Sequence, residues 1–132
     1  MSRIALTLDL LPGELAVCRL GPDAGVPDWA SAPGPVRAVI RTARELTLVC
    51  AAAQVPGSIR AERGFRVLQV EGPLDFSLTG ILAALAVPLA EAGVSLFALS
   101  TFDTDCLMVR DDQLGQAQAA LEAAGHHLRG VC

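Results

Sequence analysis

The 132-residue chain contains no lysine, no asparagine and no tyrosine, so all ten of its cationic side chains are arginine. Together with its abundant alanine, that bias is the one a GC-rich bacterial genome imposes. Arginine does not make the chain basic, because the formal charge is −4 and no basic stripe is visible. An acidic surface cannot release counterions from a phosphate backbone, so nucleic acid is not an expected partner. No apolar run is long enough to span a membrane. The opening residues carry Arg3 and Asp9 with no cleavage pattern, so the expectation is a cytoplasmic protein without membrane attachment. The four cysteines, Cys18, Cys50, Cys106 and Cys132, show no CxxC or Cys/His spacing. That absence excludes a closed tetrahedral metal site and leaves thiols, mostly buried, as the reading, with no metal or cofactor implied.

What the chain does have is apolar mass, at 52% hydrophobic residues, enough to fill a core without covalent staples. In the first half, Ile4 to Leu10 and Glu14 to Leu20 flank Pro12-Gly13, a spacing that predicts a β-hairpin. Residues 21 to 35 are rich in Gly, Pro, Asp and Ser and read as a long loop, with one helical turn near Pro27 to Ala30 and Trp29 as its core anchor. Val36 to Thr42 and Leu46 to Ala51 read as two further strands across a short polar connection. Gln54 to Arg63, with Pro56, Gly57 and several charges, is the natural seam between a lobe over residues 1–60 and a domain over 61–132.

The second half is more sharply patterned. Phe65 to Val70 is a strand stopped by Gly72-Pro73. Leu78, Ile81, Leu82, Leu85, Ala86 and Leu89 then recur at helical spacing, with Asp75 or Ser77 as N-cap and Gly93 beyond the end. Pro88 inside this helix removes a backbone donor and predicts a kink near Ala84. Val94 to Thr101 and Cys106 to Arg110 form a hairpin, Asp111-Asp112 cap a second helix through Leu121 that ends at Gly125, and His127 to Val131 is an edge strand. The order β-α-β-β-α-β is that of a split βαβ, ferredoxin-like α+β fold with both helices on one sheet face. The first half is legible as a reduced copy of the same plan, with a loop in place of its first helix.

The stretch "VEGPLDFSLTGILAALAVPLAEAGVSLFALSTFDTDCLMVRDDQL", residues 70 to 114, resembles the ACT domains of small bacterial proteins related to the CASTOR-type arginine sensors. Its specific segments are "GPLDFSLTGIL" and "LFALSTFDTD", and "VIRTARELTLVC" upstream resembles the same group's first lobe. The resemblance implies a ferredoxin-like ACT domain with a smaller, β-rich ACT-like N-terminal lobe. It implies an amino-acid ligand held where the first strand of the domain leads into its first helix. The ligand-binding set is then Asp75, Ser77, Leu78, Thr79 and Gly80 around the helix start, with Thr101, Phe102 and Asp105 from the "TFDTD" motif. A helix N-terminus offers unpaired N–H groups to a carboxylate, Gly80 leaves room for its approach, and Ser77 and Thr79 add hydroxyls. Asp105 matches the acidic residue that meets the ligand's cation, and a carboxylate against an ammonium makes a charge-assisted hydrogen bond. Asp103 reads as a turn residue bonding its own backbone. Cys106 stands where relatives carry an aromatic, so the resemblance does not carry arginine over as the ligand.

Other functions compatible with this strand order fare worse. Acylphosphatase chemistry needs an asparagine, which the chain lacks. His126 and His127 are adjacent on a strand, so they face opposite ways and form no catalytic pair. The hairpin strands carry no exposed stacking aromatics with basic flanks, as an RNA-binding module would. The expectation is therefore a non-catalytic, homodimeric sensor or regulatory protein. The alternative is a protein–protein interaction module whose ligand site has decayed.

Overall fold

In the computed structural model, which describes residues 4–74 and 79–130, the chain gathers into two units. One comprises Pro12–Phe65, and the other joins the segment ending at Leu11 to everything from Arg66 onward. The opening residues group with the C-terminal unit. The reason lies in β1 (Thr7–Leu20), which is one strand of 14 residues and not the expected hairpin. Gly13 has the positive φ of a turn residue, +91°, yet the chain does not reverse there. Each half of β1 instead has a distant partner, and those ladders outweigh the local turn signal.

In the N-terminal unit the second half of β1 pairs antiparallel with β3 (Leu46–Ala51), from Leu15↔Ala51 to Leu20↔Leu46. β3 in turn pairs with β2 (Ala38–Arg41), and β4 (Ala61–Val70) lies on the other side of β1, giving the order β2-β3-β1-β4. This is the split βαβ strand order, with a short 3-10 turn in each helix position, Asp28–Ser31 and Ala52–Gln54. Arginine holds the connections that no helix stiffens. Arg41 donates to the carbonyls of Pro22 and Ala24, and Arg37 to that of Ser31 at 2.8 Å. Trp29 packs against a core of Ala16, Cys18, Ala30, Leu46, Leu48 and Cys50, the anchoring role expected of it.

The C-terminal unit follows the predicted order: β4, α1 (Ile81–Glu91), β5 (Phe97–Ser100), β6 (Asp105–Arg110), α2 (Leu114–Ala123) and β7 (His127–Arg129). Its sheet, however, runs β7-β1-β4-β6-β5. The first residues of β1 enter beside β4 and pair in parallel with β7, Thr7↔His127 to Asp9↔Arg129, so a fifth strand separates the two that a plain βαββαβ unit would join. Arg129 grips Asp9 with both carboxylate oxygens, at 2.6 and 2.9 Å, and this lowers the Asp9 pKa. Leu85 and Leu89 of α1 and Ala117 and Leu121 of α2 pack with Leu8, Leu68, Val70, Leu107 and Val109, placing both helices on one face as the periodicity predicts.

Two cap expectations change. Gly80 occupies the N-cap position of α1 at φ +80°, so the helix starts at Ile81, while the cap candidates Asp75 and Ser77 and the first stripe residue Leu78 lie outside the described residues. Asp111–Gln113 is a 3-10 turn preceding α2, and Asp111 pairs with Arg66 at 3.2 Å without capping. Pro88 does not end α1, which continues to Glu91. Proline deprives the Ala84 carbonyl of its usual helical donor, and His126 supplies the replacement, with Nε2 2.8 Å from that oxygen. His126 Nδ1 accepts the Leu6 N–H at 3.1 Å, which fixes the proton on Nε2. One buried ring thus joins α1 to the chain entering β1.

This arrangement predicts that His126→Ala costs about 2–4 kcal/mol, since it strands a buried donor and a buried acceptor. Adding Pro88→Ala returns an N–H to the Ala84 carbonyl. A double-mutant cycle by urea unfolding should therefore show the pair losing less than the sum of the singles, and simple additivity would refute the link.

The thiols give a second prediction. Cys18 and Cys50 are free, buried and on one face, and burial with Cys50 alongside pushes the Cys18 thiol up to about 11. Burial also raises Cys50 and Cys106. Unfolded thiols ionise near about 8.5, so above that pH the unfolded chain holds fewer protons than the folded one. The stability is fully present below that value and is lost as the pH climbs toward 11. Without lysine or tyrosine, cysteines are the side chains that titrate in this window. Urea midpoints should be level between pH 7 and 8 and fall by pH 10.5, and Cys18→Ala should reduce that fall. Equal midpoints at both ends would contradict it.

Candidate functional site

The chain leaves β4 at Val70 and returns from the same end of the sheet as α1, whose N-terminus follows Gly80. The turn joining β5 to β6 falls at that end too, since Thr104 and Asp103 bond to Val70 and Leu74. Hydrogen bonds hold the two segments together. Thr104, buried at 9% exposure, donates through Oγ1 to the Val70 carbonyl at 2.6 Å, and the Leu74 N–H donates to the Asp103 carbonyl at 2.7 Å. Gly72 sits where a Cβ would come to 3.0 Å from the Asp103 oxygen and 3.2 Å from the Thr104 Cβ, so a larger residue would push this approach apart by a few tenths of an ångström. The turn is rigid in itself. Thr101 N–H and Oγ1 both donate to the Thr104 carbonyl, at 2.7 and 3.0 Å, and Thr101 Oγ1 accepts the Thr104 N–H at 3.2 Å.

The expected site residues therefore divide. Asp75, Ser77 and Leu78 lie outside the described residues. Thr79 and Gly80 are exposed at the start of α1, and Gly80, as the N-cap residue, brings no side chain to the first N–H groups of the helix. The left-handed backbone of Gly80 gives it a conformational role beyond lack of bulk, since other residues at that φ cost about 1–2 kcal/mol. Thr101 is spent on the turn, and Phe102 is 82% exposed at its tip. Asp105 opens β6, half-buried, with Oδ1 accepting the Ser100 hydroxyl at 2.7 Å. In the β5–β6 register Ser100 lies opposite Asp105, and Ala98 opposite Leu107. Alternation along a strand puts Ser100 and Asp105 on the face of Ala98 and Leu107, the face that α1 and α2 cover.

Sequence reading overlooked Thr104 and Ser100. The Thr-x-x-Thr spacing across a tight turn is a local signal for the Thr101–Thr104 bonds, whereas the long-range tie from Thr104 to Val70 has none. Among the described residues no group of three or more His, Cys, Asp and Glu side chains is placed to hold a metal ion. No helix among them is long and apolar enough to cross a membrane. The N-terminal unit has its own shallow cleft of about 560 Å³, walled by Pro12, Pro33, Pro35 and Ala51 with Arg63 at its edge. The Arg63 guanidinium donates to the Val55 and Pro56 carbonyls, at 3.3 and 2.9 Å, which ties it to the protein's own backbone.

Known proteins share both the pattern and the fold. The family model of the ACT domain matches residues 60–123, and a model described as an N-terminal domain matches residues 13–58. A segment is 37% identical over 59 residues to the cytosolic arginine sensor for mTORC1 subunit 1 of Homo sapiens and of Bos taurus. It covers 44% of this chain and 18% of the sensor, so the chain spans less than a fifth of that relative. The crystal structure of an Agrobacterium tumefaciens protein superposes with a TM-score of 0.89 at 34% identity, covering 95% of this chain and 92% of that one. The ligand-free regulatory subunit of aspartate kinase from Thermus thermophilus reaches a TM-score of 0.61 over 93% of this chain and 99% of its own, at 8% identity. That last likeness is one of fold.

The clamp between strand end and turn predicts that Thr104→Val, nearly the same shape without the donor, destabilises by about 1–3 kcal/mol. Gly72→Ala, which crowds the same contact, should also lower the thermal midpoint. Hydrogen exchange at Leu74 should speed up in both variants. Wild-type exchange there would mean that the contact does not hold the two segments.

Proposed function

Because the chain belongs to the ACT-domain proteins, of the type related to the cytosolic arginine sensors, we propose that it is a non-catalytic sensor or regulatory protein that binds a free amino acid. The observation that carries this reading is the clamp of the strand-β4 exit against the β5–β6 turn. It ties the end of β4, from which the chain goes on to α1, to the turn that leads into Asp105, and this supports a site between the helix start and that carboxylate. An amino acid presents a carboxylate and an ammonium group. The helix start offers N–H donors to the first and Asp105 offers a carboxylate to the second, so the two ends of the ligand meet opposite chemistry. Thr79 and Phe102, with Asp75, Ser77 and Leu78, complete the proposed lining. Binding regulates by favouring whichever arrangement holds the ligand better. The setting is the cytoplasm of a bacterium, and the assembly is a homodimer.

One observation favours the second reading, an interaction module without a ligand. Helix α1 carries no charge before Glu91, and its outer face shows Leu82 at 43% and Val87 at 52% exposure. A helix apolar on both faces is ordinarily covered on both.

A thermal-shift screen against the twenty free amino acids separates the two. Under the sensor reading at least one stabilises the protein, by about 2.7 kcal/mol at a hundred times its dissociation constant. Asp105→Ala should abolish that response while melting like wild type without ligand. Silence across all twenty supports the interaction module, and a normal response in Asp105→Ala moves the cation's partner elsewhere.

A further inference from the structure

We infer that Ser100 is a positioning residue for the ligand: its hydroxyl orients the Asp105 carboxylate so that Oδ2 meets the ligand's ammonium group. This rests on the amino-acid-binding reading above. Ser100 and Asp105 are directly opposed in register at the last step of the β5–β6 ladder, with Oγ 2.7 Å from Oδ1. Two pairs further in, on the same face, Ala98 and Leu107 belong to the hydrophobic core of the unit. Ser100 and Asp105 are therefore the first polar layer beyond that core, at the sheet end where α1 begins.

A carboxylate at a strand end otherwise turns about two side-chain torsions, and binding must stop that motion. A hydroxyl already bonded to one oxygen does so beforehand, which spares the ligand that ordering cost. The choice of donor matters as well. Arginine in the place of Ser100 would orient Asp105 but neutralise it, whereas serine orients it and leaves the full negative charge facing the site. Ser100 itself is exposed on an edge strand, where a hydroxyl adds little to the fold.

The test uses the full chain and each of the twenty free amino acids as probes, by thermal shift and then calorimetry for those that shift wild type. Ser100→Ala should weaken the dissociation constant about three- to tenfold, leave the unliganded melting temperature at the wild-type value, and be rescued by Ser100→Thr. Asp105→Ala should lose the response. If Ser100→Ala binds like wild type while Asp105→Ala does not, the positioning role is wrong and the Asp105 site stands. If Ser100→Ala melts lower with unchanged affinity, the pair is only a strand-to-strand contact. Wild-type binding by Asp105→Ala, or no shift with any amino acid, overturns the site and the role of Ser100 together.

Discussion

Strand β1 takes partners on both of its edges, and the rest of the architecture follows from how those partners are divided. A buried strand cannot leave an N–H or carbonyl unpaired without a cost comparable to a lost hydrogen bond. β4 flanks it throughout, from the Glu71 N–H on the Thr7 carbonyl to the Arg19 N–H on the Arg60 carbonyl. The other edge is divided between β7 and β3. Leu8 thereby enters one core and Ala16 and Cys18 the other. The Asp9–Arg129 pair lies on directly opposed residues of β1 and β7. Such exposed ion pairs add little stability, but a register slip would separate the two charges, so the pair marks the correct alignment.

The same economy of polar groups shapes the candidate site. Thr104, Thr101 and Ser100 are uncharged hydroxyls, and each is committed to a carbonyl or carboxylate within the C-terminal unit. They fix the backbone and the Asp105 side chain without cancelling its charge. His126 does comparable work at the far side of α1, where it completes the helical bonding that proline interrupts. In both places a neutral side chain repairs a local defect in backbone or side-chain order, and neither repair is visible as a motif.

That contrast explains what the amino-acid sequence reveals. The stripe of α1 was legible because a helix writes its burial into nearby residues, and the β5–β6 hairpin because its partners are adjacent. The hairpin expected at Pro12-Gly13 does not form because each flank pairs with a strand distant in sequence. Parallel pairing of Thr7 with His127 leaves no local periodicity to detect. The starts of α1 and α2 differ from expectation for a related reason. A positive φ at Gly80 and an ion pair with Arg66 decide those helix starts, and both depend on surroundings rather than on cap propensity. Asp105 stood out through its motif, whereas Ser100 emerged only once register set it opposite.

Joining the opening residues to the last strand also orders events in time. A ribosome releases Thr7 long before His127, so the growing chain must keep the start of β1 unpaired on that edge until translation has passed Arg129. Residues 12–65 form their unit from segments already synthesised, whereas the C-terminal unit closes through contacts of very high sequence separation. Such closure is slow relative to local folding, and domains emerging N-terminal first generally form as units. The C-terminal unit would therefore complete its sheet only after Arg129 has emerged, which makes the half-open strand the point where a chaperone or a second chain could intervene.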